Sequence, residues 1–350
     1  MSFRFRKRIK IAPGIRLNLG KKSASISFGV RGARHTISST GRQTSSVGIP
    51  GTGFYYVKSR YRKKQSKEGN KSKDMDNLDP DREVKEFDNI INYIISFHKD
   101  CDYNYNWELI CKEPQPFRIG EMGPNEMIAQ NNLDNYRPSL IGKIFKALDK
   151  KQIKELEREV EDAIKKDEIL YKEWDNKKKI SQDIIGKRPT AYMELLEKIQ
   201  FCDELAGFID TLDIIASEET VLIEYNINID EIIPTHYKTL TKTGRLSIRK
   251  YNKTNYYSIV KRYVPSIALR IARNTFGILP VSTVVINTQT KILDTQIGQM
   301  NDITILSIEI DRSKISGLNF DLIDPFAALD NFEHNVRFLK TRGFQEVKKL

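Results

Sequence analysis

The chain reads as an α+β protein of several domains. A small antiparallel all-β module comes first, then a central helical hairpin, then a C-terminal α+β domain with an antiparallel sheet and one long helix. Three observations lead to this reading. Residues 3–57 alternate polar and apolar positions and are broken by glycines. Residues 140–185 keep helical spacing with no proline and a single glycine, Gly142. From Val221 onward, β-branched alternating runs flank one 23-residue helical pattern. The chain divides into a basic Gly-rich β domain at 1–57, a charged linker at 58–81, a helical region at 82–216 and an α+β domain at 217–350.

In the first module, Phe3, Phe5, Ile9 and Ile11 share one parity and Arg4, Arg6, Arg8 and Lys10 the other. A strand sets same-parity residues on one face about 7 Å apart, whereas a helix would scatter the charges. Pro13-Gly14 breaks the run, and Ile15, Leu17 and Leu19 resume it. Gly20-Lys21-Lys22 is a turn, and Ala24, Ile26, Phe28 and Val30 form the next apolar set. Gly29, Gly32, Gly41, Gly48, Gly51 and Gly53 punctuate the rest of the module. Short strands and tight turns result, a sheet of four or five strands ending near Val57.

Charge divides the chain unevenly. The whole carries 58 basic and 46 acidic residues. Sixteen of the basic residues lie in the first 64 positions, where there is no Asp or Glu; the remainder holds 42 against 46. A basic face without acids suits sequence-independent, salt-sensitive phosphate contacts. Phe54, Tyr55, Tyr56 and Tyr61 add rings on which bases of a single strand can stack. Two other readings explain the same charge. Lys and Arg on exposed strands block edge pairing, and a basic face can dock on an acidic protein, or on this protein's own body.

Certain phrases carry a resemblance. The opening F-R-F-R-K, the run IAPGIRLNLGKKSASISFG, the RGAR at Arg31–Arg34 and the closing VGIPGTGFYY resemble a bacterial N-terminal domain family of unknown function, over about residues 3–56. The phrases LTKTGRLS, IARNTFGILPV, ILSIEIDR, GLNF and HNVRFLKTRGF resemble the tails of longer members, also of unassigned function. The resemblance implies a bacterial, phage-associated or mobile-element setting, and no activity.

Residues 58–81 are polar, almost without aliphatic side chains, and pass from basic to acidic, as a flexible linker does. From Asp81, the residues Val84, Phe87, Ile90, Ile91, Ile94, Ile95 and His98 fall on one helical stripe. A loop rich in Pro, Gly and Asn comes next, with one short helix near Glu126–Gln130. Arg137-Pro138-Ser139 is a helix start. The helix it opens, Leu140 to about Ile185, would be about 70 Å long if unbroken. Its apolar seam is interrupted at Asp167, Lys177 and Ser181, which favours one arm of an intramolecular hairpin over a dimeric coiled coil. Gly186-Lys187-Arg188-Pro189 is the turn, and the return arm runs from Thr190 to about Ala216. VLIEYNINI, ILPVSTVVIN and ITILSIEID are strands, Thr254–Phe276 is the long helix, and Pro325–Asn331 is a short one.

No catalytic constellation stands out. Asp294, Asp302, Glu309 and Asp311 lie near the strand pair where a metal-dependent nuclease would carry its acids, but no lysine stands two residues after Glu309. His98, Cys101 and Cys111 lack a fourth zinc ligand. His35, His236 and His334 have no nucleophile near them in sequence. Gly51-Thr52-Gly53 and Gly29-x-x-Gly32 lack the strand–loop–helix context of a nucleotide cradle. Three cysteines without a C-x-x-C are expected as free thiols in a reducing cytoplasm. No run of eighteen apolar residues implies a membrane span.

The sequence therefore predicts a cytoplasmic, non-enzymatic binding protein without metal or cofactor. Its basic module engages a polyanion, nucleic acid without sequence specificity, through Arg4, Arg6, Arg8, Lys10, Arg16, Lys21, Lys22, Arg31, Arg34 and Arg42. The helical and α+β body engages a protein partner. The alternatives are a metal-dependent nuclease in the C-terminal domain and a structural protein that self-assembles through the β module.

Overall fold

A computed structural model describes residues 3–8, 15–19, 24–30, 33–38, 42–48, 55–61, 80–101, 103–138, 146–199, 201–202, 205, 207–294 and 298–350. The chain is α+β and divides into two compact units. One comprises residues 1–104 and 192–350, the other 105–191. Among the described residues no helix is long and apolar enough to cross a membrane.

The first unit is built on a six-stranded sheet. Its strands are β1 (Phe3–Arg8), β7 (Ile209–Ala216), β8 (Thr220–Ile227), β11 (Thr283–Asp294), β12 (Gln299–Asp311) and β13 (Glu333–Val336), side by side in that order. All neighbours are antiparallel except β8 and β11, which run parallel. The sheet is therefore mixed, which corrects the antiparallel sheet expected from sequence. The reason lies in the connection. Strands joined by a long helix run parallel because the helix carries the chain back to the same end.

That helix, Lys253–Ile278, is capped by Asn252, whose side chain accepts from the Asn255 N–H at 2.8 Å. Its middle is buried all round: Tyr263, Val264, Ile267, Ala268, Leu269, Ile271 and Ala272 are fully enclosed. A helix apolar around its whole circumference needs cover on every side. The sheet covers one side, through the buried rows Ala216–Val221–Val284–Ile310 and Ile214–Ile223–Ile286–Ile308. The 3-10 turn Phe97–Lys99 packs elsewhere on the helix, where Phe97 lies 4.7 Å centroid to centroid from Phe208. Gly277 lets the Tyr103 carbonyl pass so closely that a Cβ would sit 2.1 Å from its oxygen.

Arg312 locks the end of this helix. Its guanidinium donates to the carbonyls of Phe276 at 3.1 Å, Val281 at 2.7 Å and Leu279, and it lies over the Phe276 ring. These carbonyls belong to a helix C-terminus and the loop after it, where backbone acceptors otherwise go unmet.

Besides the short pair Phe338–Leu339 with Gly343–Phe344, two smaller sheets share the unit. A hairpin pairs β9 (His236–Leu240) with β10 (Leu246–Lys250). It packs on helix α1 (Pro80–Ile94), with an ion pair between Lys238 and Glu83. The second is a five-stranded antiparallel sheet of β2 (Ile15–Leu19), β3 (Ala24–Val30), β4 (Ala33–Ser38), β5 (Arg42–Gly48) and β6 (Tyr55–Tyr61), in sequential order.

The second unit holds α2 (Trp107–Cys111), α3 (Pro124–Asp134) and the 40-residue α4 (Lys146–Ile185). The expected start of the long helix, residues 139–145, lies outside the described residues. Buried Asp167, an interruption in the seam, has a structural role. It caps the first turn of α3, accepting from the N–H groups of Asn125 and Glu126 at 3.2 and 2.8 Å.

The return arm expected over Thr190–Ala216 is corrected. It is a ten-residue helix, α5 (Pro189–Lys198), and then strand β7. Leu205, Ile209 and Leu212 satisfy helical spacing, but Leu212, Ile214 and Ala216 also alternate. The alternation prevails because these residues fill the core row of the sheet.

Candidate functional site

The ten basic residues singled out from sequence do not all come together. Arg4, Arg6 and Arg8 lie on β1, the edge of the six-stranded sheet. Arg16, Arg34 and Arg42 lie on β2, β4 and β5 of the five-stranded sheet. Lys10, Lys21, Lys22 and Arg31 lie outside the described residues. Of the linker expected over 58–81, residues 62–79 also lie outside them, while 58–61 belong to β6 and 80–81 to α1, which corrects its two ends.

Register decides which residues of the five-stranded sheet share a face, because directly paired residues belong to the same face and successive residues alternate. Arg16 pairs with Ser27, Ser27 with Thr36, Thr36 with Thr44 and Thr44 with Ser59. Arg34 pairs with Ser46, and Arg42 with Tyr61. One face thus carries Arg16, Arg34 and Arg42 among Ser25, Ser27, Thr36, Thr44, Ser46 and Ser59, with Tyr55 and Tyr61 on its β6 margin. The other carries Ile15, Leu17, Ile26, Phe28, Val30, Ile37 and Val47, and towards β5 and β6 also His35, Gln43, Ser45, Lys58 and Arg60. No carboxylate stands at any position of either face.

Arg6 has a different register position. It is opposite Asp213, and the same row continues through Glu224, Asn287, Ser307 and Asn335. This polar row lies on the face of the six-stranded sheet away from the long helix. Asn287 donates to Glu224 at 3.0 Å and Ser307 donates to Asn287 at 2.6 Å. Residues 347–350 bond to the same sheet face: Lys349 reaches Glu224 at 2.7 Å, and the Leu350 N–H reaches Ser307 Oγ at 3.0 Å. Arg6 thus stands at a register position in line with Asp213 and Glu224.

The match to known families decides the status of the opening segment. Residues 3–57 match the family model described as Protein of unknown function (DUF4236). The opening segment is similar to this family. No curated protein and no solved structure matches the chain. The DUF4236 match includes β1 as well as β2–β6, so the strands of one family segment enter two sheets. The C-terminal phrases LTKTGRLS and HNVRFLKTRGF lie beyond it.

The acids considered for nuclease chemistry are dispersed. Glu309 pairs in register with Val285 and Glu333, Asp302 with Lys291, and Asp311 forms an ion pair with Lys314 at 3.1 Å. Among the described residues no three or more His, Cys, Asp or Glu gather in a way that could hold a metal ion. The three cysteines form no disulfide.

His98 is buried, with Nδ1 2.9 Å from Ser266 Oγ, while its backbone N–H donates to the same oxygen at 3.0 Å. Burial, and then the charges of Lys99 and Arg262, pull its pKa down to about 4. Ser266 is also fully enclosed, so the pair joins the 3-10 turn to the long helix and offers no approach to a substrate.

A cavity of about 250 Å³ opens at the C-terminal ends of the parallel strands β8 and β11. This is where open sheets with parallel strands commonly take ligands. Asp210, Asp230, Tyr256, Tyr257, Lys291 and Arg342 line it. Tyr256 donates to Asp230 at 3.2 Å, and burial, then that carboxylate, raise its pKa. Both signs of charge meet there, and no group is placed as a nucleophile beside a base.

A second acid-free run is hidden in the whole-chain balance. From Ile232 to Leu293 there is no Asp or Glu, and there are eleven Lys or Arg. The near-neutral total of residues 65–350 conceals it; a windowed charge count is the signal that reveals it.

Proposed function

We propose that this is a non-enzymatic binding protein whose DUF4236 segment engages a polyanion, nucleic acid without sequence specificity, while the helical and α+β body engages a protein partner. In this reading the strands of residues 15–61 form a small all-β binding module in a cytoplasmic protein. One observation carries it: register sets Arg16, Arg34 and Arg42 on one hydroxyl-rich, carboxylate-free face with Tyr55 and Tyr61 at its margin. Arginines and hydroxyls are phosphate-binding groups, and rings accept stacked bases. Over β2, β3 and β4 the opposite face is largely apolar and gives the sheet a side to bury, which favours the arginine face as the one to present; Lys58 and Arg60 stand on the opposite face at β6.

The test uses the full chain and a labelled 20-nucleotide single strand over a salt series. Replacing Arg16, Arg34 and Arg42 together by alanine should lower affinity and reduce the slope of log affinity against log salt by about 2, at about 0.7 per single-strand phosphate contact. An unchanged slope overturns the reading.

A further inference from the structure

Lys291 of the second acid-free run lines the cavity; the other ten bases fall into two groups. Those facing the fold are engaged there. Arg270, 1 % exposed, donates to Asp100 at 3.0 Å. Arg273 donates to the carbonyls of His98 and Lys99 at 2.6 and 2.9 Å and lies over the Phe320 ring. Arg262 faces Asp324 at 3.4 Å, Lys261 lies over Phe326, and Lys238 pairs with Glu83. The second group is Lys242, Arg245, Arg249, Lys250 and Lys253. All five are exposed, and none is in an ion pair among the described residues.

These five stand on a fixed frame. The hairpin turn is closed by Thr241 N–H to Arg245 O at 2.8 Å, Gly244 N–H to Thr241 O at 2.9 Å and Arg245 N–H to Thr241 Oγ1 at 3.0 Å. Gly244, at φ +75°, supplies the left-handed residue this turn requires. Tyr237 and Tyr251 pack at 5.0 Å, and the Lys238–Glu83 pair ties the hairpin to α1. Lys253 opens the long helix, whose first turn holds no acid. A cation beside the positive end of a helix is unfavourable until an anion arrives.

We propose that the β9–β10 hairpin and the start of the long helix form a nucleic-acid-binding surface that holds backbone phosphates through Lys242, Arg245, Arg249, Lys250 and Lys253. Arg249 and Lys250 are successive on β10 and take opposite faces of the narrow ribbon, so the hairpin presents bases on both faces and at its tip. Like charges close together on a fixed frame repel one another when free, and neutralising phosphates removes that cost. Exposed Thr243 at the tip adds a hydroxyl donor of the kind that accompanies phosphate contacts. The surface shares its ligand class with the DUF4236 reading and uses none of its residues.

The experiment compares three forms of the full chain: the parent, Arg245→Ala/Arg249→Ala/Lys250→Ala, and the tip variant Lys242→Gln/Arg245→Gln. Each is titrated with a labelled 20-base-pair duplex and a 20-nucleotide single strand over a salt series. The first variant should reduce the duplex salt slope by about 2–3, at about 0.9 per phosphate contact, and the tip variant by about 2. The arm with the larger loss tells duplex from single strand. Slopes equal to the parent's in both variants overturn the inference, and so does a parent that binds neither probe. The arginine-face variant separates the two readings. If it leaves the slopes unchanged while the hairpin variants lower them, the DUF4236 reading fails and the hairpin stands. The reverse pattern retires the hairpin alone.

Discussion

Asp167 and Asn125 are joined twice through one oxygen: Asp167 Oδ1 accepts the Asn125 backbone N–H at 3.2 Å and its side-chain amide at 2.7 Å. The carboxylate caps α3 from another helix, at the position where a residue just before the helix normally serves. Gly123, which occupies that position, makes room for it, since a Cβ there would lie 2.3 Å from Asp167 Cγ. Burial alone would raise the Asp167 pKa; the hydrogen bonds from Glu126 and Asn125 outweigh it and hold the carboxyl below its usual value.

Asp167→Ala should therefore cost about 1–2 kcal/mol of stability in urea unfolding, the range of a lost cap. Gly123→Ala should destabilise as well, because backbone and carboxylate cannot both keep their places. The sign with pH comes from the depressed pKa. The stabilisation is complete above the ordinary carboxylate range and is lost as pH falls through it. Asp167→Asn should remove that component of the pH dependence.

Arg312 makes three hydrogen bonds to carbonyls with a planar, forked group. Lysine has the charge and cannot reproduce the fork. Arg312→Lys should lose stability, and Arg312→Ala should lose more, at least about 2 kcal/mol given the strength of hydrogen bonds to charged donors. Thermal unfolding checks the order of the three proteins; a lysine variant as stable as the parent would show that charge alone suffices.

His98 sets an acid limit. Its pKa is about 4 in the fold against 6.5 for an ordinary histidine. The unfolded chain takes up a proton first, so stability should decline as pH drops from about 6.5 toward 4. It levels off once both states are protonated, with a total of about 3 kcal/mol. His98→Gln should flatten this segment of the stability–pH curve. A curve of unaltered shape would assign the acid sensitivity to other groups.

Tyr55 and Tyr61 offer a test of stacking against simple charge. Base–aromatic stacking is worth about 1–3 kcal/mol per base. Replacing both tyrosines by alanine should weaken single-strand binding by about tenfold or more, with the salt slope and duplex affinity unchanged. Equal losses on both probes would count against stacking.

Much of the body was legible in the sequence because single elements have strong local signatures. The helix expected at Thr254–Phe276 is observed at Lys253–Ile278, and ITILSIEID lies within the strand Gln299–Asp311. Pairing direction was less legible, since it depends on the path between strands. The run VLIEYNINI, the long helix and the next strand form a parallel unit, which local alternation alone does not reveal. Strand β7 was hidden because Leu205, Ile209 and Leu212 also fit a helix. Asp167 looked like a flaw in an apolar seam because the helix end that it caps lies 41 residues away at Glu126. The hairpin bases were masked by averaging, their charge offset by acids elsewhere in the chain.

The pairing of β8 with β11 keeps one offset throughout: Val221 meets Val284 and Ile227 meets Thr290, always 63 residues apart. The intervening segment contains the hairpin and the long helix, both able to close through nearby contacts. The central ladder can form only after that whole segment has been looped back, and loop closure of this length delays pairing in the folding reaction. The pairs β7–β8 and β11–β12 are each local in sequence, whereas the ladder between β8 and β11 that joins them is not. Refolding speed should accordingly respond to changes that stiffen or loosen residues 228–282, even those that leave equilibrium stability untouched.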